Sequence, residues 1–291
     1  MDNAVSQIIA GRKTFFIFPD LSLFPENFCE EYFVEGYECY FIDYSKRLSL
    51  EDQIEAIVRV FSDVIIFFNV DSMVSGMNWP QFIRYIHEKY GGKVLVGALF
   101  CKKSSEEEKK NIEKMYLFDI GIPCGAIQLS YQKRNNFEII AKTLYANQAM
   151  GRRKNVRAVC IDNTCTFSFA QSNGYCSGVV HDISTSHFSC TLQKGQIQVK
   201  LYEKVEGVQM NIKGTHFRTN AVLYIERELS DGEMLYVFMF VCTDGRNGLD
   251  YSSKQIIVPR IYNMMYTNCM ALVSSKIKDM RDGREEPLPI L

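Results

Sequence analysis

The chain has 291 residues, of which 47% are hydrophobic, and its formal net charge is -1. This composition predicts a packed globular protein of about two domains and excludes a disordered chain. Broad binding to a polyanion usually needs a strongly basic domain, so no nucleic acid polymer is expected as a partner. The first residues lack a basic head followed by an apolar run, and no segment has the roughly 18 uninterrupted apolar residues of a membrane span. A cytoplasmic protein without membrane insertion is therefore expected.

From Lys13 to Met150, apolar runs alternate with amphipathic segments. Runs rich in aromatic and β-branched residues indicate buried strands, and apolar residues at helical spacing indicate helices. Ser49 is a good helix N-cap, and Ser104 with Glu107 predicts a capping box. The predicted strands are 13–19, 38–44, 63–70, 93–100 and 125–130, and the predicted helices are 25–36, 49–61, 79–92, 104–121 and 135–149.

This alternation predicts a doubly wound, mostly parallel α/β sheet over residues 1–148. Its spacing resembles the receiver domain of two-component signalling. The residues do not follow the receiver pattern, since a single acid, Asp20, follows the first strand and Asn69 stands where the phospho-accepting aspartate belongs. Ala98 replaces the Thr or Ser, and Ser130 or Tyr131 replaces the Lys. The prediction is a receiver-like domain without phosphotransfer. In the alternative, Asp20 and Asp71 hold Mg²⁺ and catalyse phosphotransfer or hydrolysis.

After Gly151 the segments become short, β-rich and separated by turn residues. This pattern predicts an antiparallel β-barrel or sandwich, followed by a helix within 253–273 that begins after Pro259 and covers an edge or end of the barrel. The predicted strands are 156–170, 175–184, 187–192, 196–202, 207–214, 221–230 and 233–241. The helix residues predicted to share one apolar face are Ile261, Met264, Met265, Cys269 and Leu272.

Metal sites and cofactors are not expected. None of the ten cysteines forms a C-x-x-C pair, which argues against structural zinc, and free thiols in a reducing compartment are the simpler interpretation. His181 and His187 lie six positions apart, but no third or fourth ligand accompanies them.

The segment "GRRKNVR" (151–157) places four basic residues at the change from α/β to β structure. Arg153 and Arg157 form R-x-x-x-R, with Arg152 directly before it. About one hairpin later, Asp182 and Ser184 stand in "DISTSH". By itself the basic segment is also typical of a solvated linker between domains.

The two motifs together resemble the PilZ domain, a small β-barrel that binds cyclic di-GMP. The family signature is R-x-x-x-R followed by (Asp or Asn)-x-Ser-x-x-Gly. Arg153, Arg157, Asp182 and Ser184 match it, and His187 occupies the glycine position. The resemblance covers roughly residues 150–275. It implies a PilZ-like domain over 149–280, with 281–291 as a C-terminal tail.

The resemblance implies a ligand-binding role for each of these residues. Guanidinium groups of Arg153 and Arg157 would bind phosphate oxygens or the guanine edge bidentately or stack on the base, and Arg152 would be a third contact. Asp182 would accept hydrogen bonds from a guanine edge or orient an arginine, and Ser184 would donate to a base or a phosphate. His187 brings an imidazole where glycine lets the backbone approach the ligand, so altered affinity or stoichiometry is expected.

The sequence thus predicts a non-enzymatic receptor of cyclic di-GMP, with no further cofactor. Binding at the arginine loop between the domains would change their arrangement and an interaction with a protein partner. The alternative in a different functional class is a degenerate PilZ-like scaffold that has lost the nucleotide and binds a protein only. His187 at the glycine position favours that alternative.

Overall fold

The computed structural model describes residues 11–42, 49–74, 76–101, 105–151 and 153–283. The chain divides into two compact units. The first comprises residues 1–154 and 270–291, and the second comprises residues 155–269. Of the predicted tail, residues 284–291 lie outside the described residues.

The first unit contains the predicted parallel sheet of five strands, in the order β2-β1-β3-β4-β5. This order is common to flavodoxin-like folds, so it confirms the doubly wound architecture without identifying a receiver domain. The strands are β1 (Lys13–Ile17), β2 (Cys39–Ile42), β3 (Val64–Asn69), β4 (Val94–Phe100) and β5 (Ala126–Gln128). The helices are α1 (Phe28–Glu35), α2 (Leu50–Phe61), α3 (Trp79–Tyr90), α4 (Glu106–Glu113), which continues as a π-helix over Lys114–Ile120, and α5 (Lys133–Ala146), with short 3₁₀ segments at Leu21–Leu23 and Gly91–Lys93.

Local signals set the ends of these helices. Ser49 caps α2, where its hydroxyl accepts the N–H of Asp52 at 3.0 Å. The capping box of α4 uses Ser105 and Glu108, one position later than predicted, and Ser104 lies outside the described residues. Gly36 ends α1 with a φ of 97°, in the left-handed region that glycine adopts without steric cost.

The acidic residues considered for phosphotransfer serve local structure. The Asp20 carboxylate accepts the N–H of Ser22 at 3.1 Å, within the turn that follows β1. The Asp71 carboxylate accepts the N–H of Cys101 at 2.5 Å, and the Asn69 amide donates to a backbone carbonyl at 3.0 Å. No group of three or more His, Cys, Asp or Glu residues that could hold a metal ion occurs in the described part of the chain.

The second unit is an eight-stranded antiparallel sheet, in the order β6-β9-β10-β13-β12-β11-β7-β8. It curls into a half-barrel: a Cβ placed on Gly178 of β8 would lie 3.0 Å from the side chain of Leu192 on β10. No strand pairing joins the two edge strands within residues 153–283. The strands are β6 (Ala158–Val159), β7 (Cys165–Gln171), β8 (Gly174–Val179), β9 (Asp182–Ile183), β10 (His187–Leu192), β11 (Lys204–Ile212), β12 (Thr215–Glu228) and β13 (Met234–Val241).

The strand predicted over 196–202 is wrong. Its alternating pattern of apolar and polar residues is that of a strand, but side chains bind its backbone. The N–H groups of Gln198 and Lys200 donate to the side chains of Gln171 and Glu203, at 3.2 and 2.9 Å. Side-chain acceptors of this kind compete with strand pairing for the backbone. The segment predicted as one strand over 156–170 is also two strands, β6 and β7, with a turn between them.

The C-terminal helix, α6 (Tyr251–Arg281), is longer than predicted and begins before Pro259. Four residues of the predicted apolar face are buried, but Leu272 is 53% exposed, and Val273 is buried instead. Met264 contacts β7 through its sulfur, which lies 3.8 Å from the thiol of Cys165. Among the described residues, no helix is both long enough and apolar enough to cross a membrane.

Candidate functional site

Strand pairing brings Arg157 and Asp182 together, although 25 positions separate them. β6 pairs with β9 so that Val159 lies opposite Asp182, and Arg157 directly precedes β6. The Arg157 guanidinium lies 3.4 Å from the Asp182 carboxylate, and each side chain is 27% exposed. The pair is therefore accessible to a ligand, and a cation and an acceptor are presented side by side.

These side chains share the outer face of the curled sheet. Side chains alternate between the two faces of a strand. On β10, Phe188 points inward, where its ring stacks on Phe238 at 5.0 Å. His187, one position earlier, therefore points outward, and Asp182 does too, since it lies opposite Ser189.

His187 is half-buried beside the ion pair. Burial lowers the pKa of His187 below its ordinary value, the Arg157 cation lowers it further, and Asp182 opposes both effects. The imidazole Nδ1 lies 2.7 Å from the Ser186 hydroxyl. When that hydroxyl donates to Nδ1, the neutral ring carries its proton on Nε2 and can donate a hydrogen bond outward.

Ser184 forms the turn between β9 and β10. Its side chain is buried, and its hydroxyl accepts the N–H groups of Ser186 and His187 at 3.2 and 3.0 Å. Its own N–H donates to the carbonyl of His187 at 2.8 Å. The serine of the motif thus fixes the turn that presents His187, and direct contact with a ligand stays a prediction.

The arginine segment is only partly described. Arg152 lies outside the described residues, and Arg153 is exposed. Between Arg153 and Arg157, the side chain of Asn155 accepts a hydrogen bond from the Thr185 hydroxyl at 3.2 Å. This bond attaches the segment just before β6 to the turn of the second motif. The family signature does not include Asn155 or Thr185, and no sequence signal marked them.

Two tyrosines that the sequence analysis missed extend from His187, one after the other. The Tyr224 ring centroid lies 5.8 Å from that of His187, and the Tyr202 ring lies 6.1 Å from Tyr224. Tyr224 belongs to β12, and Tyr202 to the irregular segment before β11. His181, the other histidine considered for metal binding, contacts the Thr191 hydroxyl instead.

No family model matches the chain, and no curated protein sequence matches it. Comparison with solved structures finds YcgR of Escherichia coli in complex with c-di-GMP, with 10% identity over 47% of this chain and 53% of that chain and a TM-score of 0.29. The MrkH–c-di-GMP complex of K. pneumonia matches with 10% identity over 47% of this chain and 56% of that chain (TM-score 0.31). The motility inhibitor MotI of Bacillus subtilis matches with 11% identity over 47% and 56% (TM-score 0.28).

The chain spans about half the length of these proteins. The PilZ domain of YcgR is also matched separately, so the similarity to PilZ proteins that the sequence motif predicted is found again among solved structures. One MrkH structure is described as a c-di-GMP-dependent transcription regulatory factor. With TM-scores of 0.28 to 0.31, the matches do not identify the ligand of this chain.

Proposed function

We propose that the chain is a non-catalytic receptor for cyclic di-GMP, which binds on the outer face of the curled sheet. The observation that carries the proposal is the Arg157–Asp182 pair, at 3.4 Å on an accessible face and with His187 beside it. A guanidinium suits a phosphate oxygen or the O6/N7 edge of guanine, and a carboxylate suits the N–H edge of the same base. Both kinds of group are needed for a guanine dinucleotide.

The arginines before β6 complete the proposed site. Arg153 and Arg152 would bind the phosphates from the segment that precedes Asn155, where they add positive charge that the overall composition lacks. Arg157 would exchange part of its contact with Asp182 for the ligand. Because the pair is partly exposed, that exchange costs about 1 kcal/mol or less.

Ligand binding at this site would affect the whole chain. Residues 152–157 include the boundary at which the first unit ends and the second begins along the chain. Binding would order this segment and so change the arrangement of the units, which a protein partner would then detect. The ligand would act as a switch between two arrangements without a chemical step.

Calorimetric titration with cyclic di-GMP tests the proposal. The wild type should bind, and Arg157→Ala should abolish or strongly weaken binding while the melting temperature of the free protein changes little. Arg84→Ala, which removes an exposed arginine from α3, is the matched control and should bind as the wild type does. Absence of binding to the wild type, or wild-type affinity in Arg157→Ala, would overturn the proposal.

His187 at the glycine position favours a second candidate, a protein-binding scaffold without nucleotide. A thermal-shift assay with and without cyclic di-GMP separates the two. A ligand at a hundred times its dissociation constant stabilises the folded state by about 2.7 kcal/mol. No shift in the wild type together with a restored shift in His187→Gly would favour the scaffold.

A further inference from the structure

Three rings form a continuous row on the outer face, next to the Arg157–Asp182 pair. His187 adjoins Tyr224, and Tyr224 adjoins Tyr202, with ring centroids 5.8 and 6.1 Å apart. Tyr224 is 44% exposed and Tyr202 is 67% exposed. The rings touch one another without burying their faces, so a large part of both tyrosines remains available to a ligand.

Tyr224 lies on the outer face of β12, at a β-bulge. Leu223 pairs with Phe238 of β13, and Ile225 pairs with the next residue, Val237, so Tyr224 is the extra residue of β12. A bulge re-aims the side chain at its position, and bulges are frequent next to binding sites. Leu223 is buried and lies opposite the inward-facing Phe238, so the alternation of β12 turns Tyr224 to the outer face. The bulge then turns Ile225 outward as well, opposite Val237.

The backbone before β11 holds Tyr202 against β12. The N–H of Tyr202 donates to the carbonyl of Leu223 at 2.7 Å. Tyr202 has a φ of 66°, in the left-handed region that is unfavourable for a residue with a Cβ. Local strain of this kind persists where the surrounding structure imposes it and is concentrated at functional sites.

Scattered exposed tyrosines are common on protein surfaces and need no explanation. Here two are adjacent, one lies at a β-bulge and the other has a left-handed backbone, and they continue a row that begins at the proposed ligand contacts. A tyrosine ring can stack on any nucleobase, because every base has a flat π-face. The neighbouring cation and carboxylate supply the selectivity, since they bind the phosphate and the guanine edge.

We infer that Tyr224, flanked by Tyr202, is a stacking surface for one guanine base of the ligand. This inference rests on the proposed function and adds residues that the family signature lacks. The base would lie against the exposed face of Tyr224, with its edge toward Asp182 and its phosphate toward Arg157. His187 then borders the base and does not block it, which accounts for an imidazole in place of glycine.

Titration of four variants with cyclic di-GMP tests the inference. Tyr224→Ala should weaken binding about tenfold, because stacking on an aromatic side chain contributes that much per base. Tyr224→Phe keeps the ring and should bind within about twofold of the wild type, and Tyr202→Ala should weaken binding by a smaller factor. Tyr175→Ala, which removes a tyrosine 79% exposed on edge strand β8, is the control and should have no effect. A purely structural role of Tyr224 would lower the melting temperature, which should stay within a few degrees of the wild-type value.

The outcomes separate the inference from the proposed function. If the wild type binds and Arg157→Ala does not, but Tyr224→Ala and Tyr202→Ala both bind as the wild type does, the stacking surface is wrong and the receptor stands. If the wild type does not bind, both are wrong. If Tyr224→Ala fails to fold, the inference is tested with Tyr202→Ala and Tyr224→Phe. Undiminished binding in Tyr202→Ala overturns the inference. Weaker binding in Tyr202→Ala together with retained binding in Tyr224→Phe supports it.

Discussion

The Thr185 hydroxyl donates a hydrogen bond to the side-chain oxygen of Asn155 across 3.2 Å, and this bond joins the two halves of the candidate site. Asn155 stands two positions before Arg157, and Thr185 follows the serine of the second motif. The bond therefore limits the positions that the arginine segment can take in the free protein. A segment held near its bound position loses less conformational entropy when the ligand arrives.

We expect Thr185→Val to weaken binding of cyclic di-GMP roughly fivefold, because one hydrogen bond contributes about 1 kcal/mol. The change should appear in calorimetry together with faster amide hydrogen exchange over residues 153–158. Thr166→Val, at a half-buried threonine on β7, is the matched control. Unchanged affinity with faster exchange would mean that the bond does not preorganise the site.

Asp182→Asn should reduce the preference for guanine. A carboxylate accepts hydrogen bonds from both N–H groups of the guanine edge, whereas an amide presents one acceptor and one donor. We expect the ratio of affinities for cyclic di-GMP and cyclic di-AMP to fall about tenfold, measured by competition titration. The same loss of affinity for both nucleotides would assign Asp182 only the orientation of Arg157.

Ser184→Ala should destabilise the second unit by about 1–3 kcal/mol, because it removes the acceptor of two N–H groups in a tight turn. The measurement is the free energy of unfolding in urea. Ser189→Ala is a suitable control, since Ser189 is equally buried and its hydroxyl makes no hydrogen bond within residues 153–283. Equal stability of the two variants would show that the turn does not depend on the Ser184 hydroxyl.

The parallel sheet could be predicted because each of its strands is a distinct apolar run. β3 illustrates the reason: Ile65, Ile66 and Phe67 are all fully buried, as both faces of a doubly wound sheet are covered. The segment 196–202 could not be predicted, because its pattern is that of a strand. The deciding acceptors, Gln171 and Glu203, are side chains whose positions depend on the folded structure.

Some residues of the candidate site could likewise be predicted from the sequence, and others could not. The motif identified Arg157 and Asp182, and the structure brings them together through the β6–β9 pairing. The same motif could not indicate Tyr224, because β12 comes close to His187 only through the pairing of β10 and β12 with β13, which lies outside the motif. Tyr202 was assigned to a strand that does not form.

His187 should make the stability of the protein depend on pH in a predictable direction. Its pKa is lowered in the folded protein, first by burial and then by Arg157, so the unfolded chain binds a proton at a pH where the folded chain does not. Stability then rises with pH between the lowered pKa and the ordinary value of about 6.5, and it is lost as the pH falls through that window. Replacing His187 by Asn removes this contribution and should flatten the dependence. Urea unfolding at several values between about pH 5 and pH 8 measures it, with Thr166→Val as a control for a conservative exchange in the same sheet. An equal slope in His187→Asn and the wild type would contradict a half-buried, neutral imidazole beside Arg157.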